Sequence, residues 1–157
     1  MAGKGAGPVT EPQRDGRGAW LGFSLKGQRY AVSLASVREV IRCGDITPVP
    51  GAPEDVLGIV NLRGQIVPVL DGRRRFGLEG RIDVADEDAQ RVIVFDDSGS
   101  IVGMRIDVIG DMLEFNPADV APPPPGRATR RDDPVSGVIT RDDGFIALID
   151  IPRLCRA

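Results

Sequence analysis

Residues 19–25 alternate apolar with small or polar side chains and place Leu21, Phe23 and Leu25 on one face, the pattern of a half-buried strand. Lys26-Gly27 makes a turn, and residues 28–33 predict a second strand with Tyr30 and Val32 on one side. From Ser33, a capping residue, the 3–4 spacing of Leu34, Val37 and Val40/Ile41 predicts a short helix. Residues 45–53 carry Pro48, Pro50 and Pro53, which permits at most an edge strand. The strongest strand signals are residues 56–62 and 65–70, two β-branched runs joined by a tight Arg63-Gly64 turn. Asp71 then predicts the cap of a single helical turn through Phe76.

The polar stretches set the boundaries. Residues 1–18 are Gly-rich and lack periodicity, so they read as a flexible tail. Residues 79–90 carry Asp83, Asp86, Glu87 and Asp88 and read as an acidic linker. Beyond it, strands are expected at 91–95 and 101–106 around Asp97-Ser98-Gly99. A short helical turn at 107–110 and a brief strand at 112–115 should follow. Pro122 to Pro125 reads as a stiff polyproline connector, the alternative being a ligand for a proline-binding module. Strands at 135–140 and 145–149, paired around Asp142-Asp143-Gly144, lead to a closing helical turn begun by Asp150.

The second half replays the first. A shift of 79 positions lays Ile66-Val67-Pro68-Val69-Leu70-Asp71 on Phe145-Ile146-Ala147-Leu148-Ile149-Asp150, and Gly58-Ile59-Val60 on Gly137-Val138-Ile139. Two copies of a five-strand unit imply two small barrels closed to hide their edges. Strands apolar on both faces belong between them. The expected class is all-β, mainly strand with short helices: two pseudo-duplicated five-stranded barrels around a shared core. The ordered domain spans 19–157, its halves, roughly 19–78 and 91–157, intertwined across the linker.

Composition narrows the chemistry. Leu, Ile, Val and Phe total 45 of 157 residues, enough for a sizeable core. There is no histidine, which excludes imidazole-based nucleophilic catalysis and histidine-ligated zinc. The two cysteines, Cys43 and Cys155, are too few for a thiolate zinc site, suit a reducing cytoplasm and read as packing residues. Net charge is −3, and aromatic residues are scarce, so nucleic acid is not an expected partner. Residues 1–81 hold 12 basic and 8 acidic side chains, net +4, whereas 82–157 hold 8 and 15, net −7. Such a split suits different partners at the two ends or head-to-tail contacts, unless it is a chance distribution on a solvated surface. No run of about 18 apolar residues is present to insert into a membrane. The N-terminus lacks the apolar segment of a secretory signal.

The simpler motifs carry little chemistry. Gly3-Lys4-Gly5-Ala6-Gly7 lacks the spacing and the Lys-Ser/Thr pair of a phosphate loop. The carboxylates at 83–88 have no calcium-loop glycine and glutamate after them. Asp96-Asp97 and Asp142-Asp143 lie at hairpin tips, where Asp stabilises turns more readily than it forms a catalytic pair. Arg73-Arg74-Arg75 is a short basic run, either solvated or paired with acids.

The segment Gly58-Ile59-Val60-Asn61-Leu62-Arg63-Gly64-Gln65-Ile66-Val67-Pro68-Val69-Leu70-Asp71 is of a different order. With Arg75-Phe76-Gly77 after it, it resembles the hallmark of the CheW-like domain of bacterial chemotaxis coupling proteins. Val102-Gly103 running into Asp107-Val108-Ile109, and Ala147-Leu148-Ile149-Asp150-Ile151 near the C-terminus, resemble that family's other two motifs. The resemblance spans roughly 19–155. It implies two linked five-stranded SH3-like barrels and a cytoplasmic, non-catalytic adaptor without cofactor or metal. Such an adaptor joins methyl-accepting chemoreceptor signalling tips to the regulatory domain of a CheA-type histidine kinase.

Carried over residue by residue, the family's receptor contacts fall on Val37 and Glu39 of the expected first helix, on Asn61, Arg63 and Gly64 of the hairpin, and on Ile109 and Met112. Val37, Ile109 and Met112 also suit plain core packing, whereas a hairpin tip has little structural need of Arg63. No kinase contacts are assigned. Gly72 departs from the family, which usually has an apolar residue there, and is expected to loosen the turn into Arg73. A second departure is the end at Ala157, where no longer C-terminal helix is predicted. An adaptor for another chemosensory pathway, such as surface or twitching motility, fits the same residues. A small-ligand-binding barrel or barrel enzyme would need a pocket of convergent polar groups instead.

Overall fold

Alternating and β-branched runs become ten strands in a computed structural model that describes residues 18–44, 46–78, 87–123, 134–142 and 144–155. The strands are β1 (Trp20–Leu25), β2 (Gln28–Ser33), β3 (Val37–Arg42), β4 (Val56–Leu62), β5 (Gln65–Asp71), β6 (Arg91–Asp97), β7 (Ser100–Ile106), β8 (Val108–Leu113), β9 (Val135–Arg141) and β10 (Gly144–Ile149). Two short helices, α1 (Gly72–Arg75) and α2 (Ile151–Cys155), follow β5 and β10. Asp71 caps α1 by accepting a bond from the Arg73 N–H at 3.1 Å, as its position ahead of the turn requires. Residues 1–17 of the tail, with the phosphate-loop-like motif, most of the acidic linker, Pro124, Pro125 and Asp143, lie outside the described residues. Among the described residues no helix is long and apolar enough to cross a membrane.

The strands form two five-stranded sheets, ordered β8-β1-β2-β10-β9 and β3-β6-β7-β5-β4. Each order becomes the other when β1 to β5 are exchanged for β6 to β10, so the internal repeat is a symmetry of the fold. The copies do not occupy one sheet each. The β1–β2 hairpin pairs through β2 with β10, in parallel, and β7 of the second copy pairs in parallel with β5 of the first. The two copies have exchanged their first hairpins.

An isolated bridge joins a residue beyond one outer strand of each sheet to the other outer strand. Thr47, beyond β3, exchanges two backbone hydrogen bonds of 2.9 Å with Ile59 of β4, and Ala121, beyond β8, exchanges two of 2.8 Å with Val138 of β9. These bridges explain the repeated glycines. A Cβ on Gly58 would lie 2.2 Å from the Thr47 carbonyl oxygen, and one on Gly137 would meet Val120 and Ala121.

Two strands show why both faces had to be apolar. In β6, Val92 and Val94 join a core inside one sheet with Val69, while Ile93 and Phe95 enter the core shared by both sheets. In β10, Ile146 and Leu148 belong to the interior of the other sheet, and Ala147 and Ile149 to the shared core. Period-2 alternation thus feeds two cores at once. Phe23, Tyr30 and Phe76 of the shared core stack in series, with ring centroids 5.5 and 4.8 Å apart.

Two local expectations are overturned. The helix foreseen from Leu34 is one 3-10 turn, Leu34–Ser36, followed by β3. Val37, Val40 and Ile41 are β-branched, and pairing with β6 satisfies their backbone where an isolated short helix would be marginal. The helical turn foreseen at 107–110 and the strand at 112–115 are replaced by β8, paired with β1. Asp107 does not cap a helix. Its carboxylate accepts from the Lys26 backbone N–H and from Arg73, and the chain behind it stays extended.

Candidate functional site

The β4–β5 hairpin is built from its own sequence. Arg63 and Gly64 have φ of 51° and 85°, the two left-handed central residues of a tight hairpin turn. Asn61 Oδ1 accepts a 2.8 Å hydrogen bond from the Gly64 N–H and fastens the turn. The β6–β7 turn repeats this arrangement, with Ser98 and Gly99 left-handed and Asp96 Oδ1 accepting from the Gly99 N–H at 2.9 Å. Asn61 and Gly64 therefore have a complete structural account as builders of the turn. Arg63 does not, because Asn or Gly adopts this backbone conformation at lower cost.

Arg63 reaches across to β3. Its Nη1 and Nη2 donate to the two carboxylate oxygens of Glu39 at 2.7 and 2.8 Å, a bidentate pair between the β4–β5 turn and edge strand β3. The hydrogen bonds from Arg63 hold the Glu39 carboxyl below the usual glutamate range, and the same bonds raise Arg63. The Arg63 side chain remains 71% exposed. Five guanidinium N–H donors are available and Glu39 takes two, so the rest face outward in a fixed plane.

The hydrophobic candidates lie elsewhere, and two β-bulges decide how they face. Opposite β6, Val37 pairs with Phe95 and Glu39 with Val94, so two residues of β3 advance against one of β6. Val37 is thereby turned to the shared core and Glu39 to the other face. Opposite β1, Ile109 pairs with Phe23 and Met112 with Leu21, so three residues of β8 advance against two. A spacing of three would put Ile109 and Met112 on opposite faces of a regular strand. The bulge at Gly110-Asp111 puts both on the face of Phe23 and Leu21. Ile109 and Val37 pack half-buried against the shared core, while Met112 is 62% exposed.

The candidates thus separate: Glu39 of β3 meets Arg63 of the hairpin that Asn61 and Gly64 build, Val37 and Ile109 pack against the shared core, and Met112 stands exposed on β8. Val37 and Glu39 belong to a strand, not to a first helix.

The basic run is accounted for internally. Arg73 forms a chelate with Asp107 through Nε (3.0 and 3.1 Å) and Nη2 (3.0 Å). Arg74 donates to the Glu54 carbonyl, and Arg75 donates to the carbonyls of Leu154 and Arg153 in α2. Gly72 does not loosen this turn. A Cβ there would meet the Arg105 carbonyl oxygen at 2.7 Å and Leu25 Cδ2 at 3.0 Å, so only glycine fits the packing as it stands. Asp107 was legible in the sequence only as part of a motif, since its partners Lys26 and Arg73 are 81 and 34 positions away.

Among the described residues no group of acidic or cysteine side chains is arranged to hold a metal ion. Cys43 and Cys155 are free thiols packed at the core margins. Burial, with Asp97 nearby, pushes the Cys155 thiol up to about 12.

A family model of the CheW-like domain matches residues 19–157. The chemotaxis protein CheW of Treponema pallidum (strain Nichols) is 29% identical over 133 residues, covering 84% of this chain and 78% of that protein. The chemotaxis protein CheW of Rhizobium meliloti (strain 1021) is 29% identical over 132 residues, 83% of each. The crystal structure of the scaffolding protein TtCheW from Thermoanaerobacter tengcongensis matches with a TM-score of 0.74 and 31% identity, over 84% of this chain and 88% of that one.

Proposed function

The chain belongs to the CheW-like domain family, and from that premise we propose that it is a non-catalytic adaptor of chemotaxis signalling. In this reading it works in the cytoplasm and joins the signalling tips of methyl-accepting chemoreceptors to the regulatory domain of a CheA-type histidine kinase. It reaches the membrane only through those partners. These partners are the ones that the family resemblance implies. The geometry contributes a surface chemistry suited to a helical receptor tip: an oriented cation at one hairpin and an apolar strip on β8.

The observation that carries the receptor surface is Arg63, a bidentate, outward-facing guanidinium at a turn position that would be filled more cheaply by Asn or Gly. Val37, Ile109 and Met112 supply apolar contact, and Glu39 orients the Arg63 plane. Asn61 and Gly64 act by holding the turn.

A direct test immobilises the chain and offers it, separately, a soluble kinase regulatory domain and a soluble receptor signalling-tip fragment. Retention of both supports the adaptor. Loss of both at micromolar concentration overturns it. Within the site, Arg63→Glu should weaken receptor-tip binding while the fold stays intact, because an exposed side chain is replaced and the turn backbone is kept.

A further inference from the structure

We infer that Asp107 and Arg73 are positioning residues: their ion pair holds β8 in place relative to the β4–β5 hairpin, so that the apolar and cationic parts of the receptor surface are presented together. This rests on the receptor-surface reading above.

Asp107 stands where the chain leaves β7 in one sheet and enters β8 in the other. It is 7% exposed and held from three directions. Its N–H donates to the Ser24 carbonyl of β1 at 3.2 Å, and Oδ2 accepts from the Lys26 N–H at 2.7 Å. Both carboxylate oxygens meet the Arg73 guanidinium, whose side chain is 17% exposed. Arg73 belongs to α1, directly after β5, and the far end of β5 carries the Arg63 turn. Asp71, at the junction, accepts from the Arg73 N–H and lies 3.6 Å from both Arg105 and Arg74. A continuous path therefore runs from Arg63 along β5, through Arg73 to Asp107, and into Ile109 and Met112.

The strand being held needs an anchor. β8 is an edge strand with one neighbour, its register shifts beside Gly22, and Gly22 and Gly110 approach closely there. A strand of this kind has weakly specified register. A buried ion pair adds little net stability compared with a well-packed apolar pair, but its directionality selects one arrangement. Here the fork of Arg73 dictates where β8 begins.

The test uses the full chain with Arg73→Gln, Arg73→Lys and the exchange of Arg73→Asp with Asp107→Arg, beside the contact variants Arg63→Glu and Met112→Glu. Affinity for a soluble receptor-tip fragment is measured for each. Spin labels on cysteines introduced at Gln65 and Val108, with Cys43 and Cys155 replaced by Ser, report the hairpin-to-β8 distance by pulsed electron resonance. Arg73→Gln should weaken tip binding about 2- to 30-fold and broaden a narrow distance distribution. Arg73→Lys, which keeps charge without the fork and guards against misfolding of the Gln variant, should broaden it less. The exchange should recover part of both.

An unchanged distribution and unchanged affinity in Arg73→Gln would overturn the positioning role. If instead Arg63→Glu and Met112→Glu leave tip affinity intact, the receptor-surface reading fails, and the distance distribution still judges the clamp.

Discussion

Replacing Gly58 by alanine tests how each sheet joins its edges. The added Cβ would sit 2.2 Å from the Thr47 carbonyl oxygen, 2.7 Å from its carbon and 3.0 Å from Pro48 Cα, all backbone atoms. Ordinary carbon–oxygen contacts begin near about 3.3 Å, so the Thr47 strand must retreat by roughly 1 Å. That retreat breaks the two 2.9 Å hydrogen bonds of the Thr47–Ile59 bridge. Two such bonds at about 0.5–1.5 kcal/mol each, plus about 1–3 kcal/mol of overpacking, give a loss centred near about 4 kcal/mol. Gly58 also has φ 156°, outside the range most side chains adopt, which acts in the same direction. For a domain of this size the midpoint of thermal unfolding should fall by roughly 8–16 °C. The matching variant Gly137→Ala meets first the Val120 Cγ1 tip at 2.7 Å, which can rotate away, and the Ala121 oxygen only at 3.1 Å. Its loss should be about 1–2 kcal/mol. Urea unfolding of both, at unchanged slope, measures the difference. Equal losses, or a Gly58→Ala protein within about 0.5 kcal/mol of the parent, would refute the reasoning about the bridge.

Other consequences can be checked more briefly. Filling Gly72 with an apolar side chain, as Gly72→Leu, should destabilise by about 1–3 kcal/mol in the same assay, since Arg105 and Leu25 leave no room. Glu39 has a lowered folded pKa, so its pair with Arg63 is fully formed above the ordinary value of 4.5 and is lost as pH falls through the lower folded value. Tip binding through Arg63 should therefore be flat around neutral pH and weaken with added salt; a midpoint near neutrality would contradict the pairing. Cys155, at about 12, should hold about a thousandfold less thiolate at mildly alkaline pH than an ordinary cysteine, and should alkylate correspondingly slowly in the native protein. Equal rates in native and denatured chain, read by peptide mass spectrometry, would show that the thiol is not buried as described.

Much of this protein is written locally. Each two-residue turn, at Lys26-Gly27, Arg63-Gly64 and Ser98-Gly99, takes the left-handed pair that an X-Gly dipeptide between apolar runs demands, and the strands beside it follow. Asp71 capped the turn expected of it, and the repeat at a spacing of 79 correctly implied two equivalent five-strand arrangements. Arg63 was singled out by the family resemblance, and its residue type supported the choice because a turn does not need it. Neighbours within a few positions settle the turns and the cap.

What depended on distant partners was not legible. The 3–4 spacing after Ser33 is equally that of a short helix or of a bulged strand, and only β6 alongside made residues 37–42 extended. Residues 107–110 have no local reason to be a strand; β1, more than 80 positions earlier, supplies their hydrogen bonds. The exchange of first hairpins, the facing of Ile109 and Met112 to one side, and the meeting of Arg73 with Asp107 are likewise outcomes of assembly. Hairpins and caps are fixed by short loops whose closure costs little entropy. The partners of an edge strand and the faces set by a bulge are decided only when two sheets compete for one core, and there the tertiary structure chose.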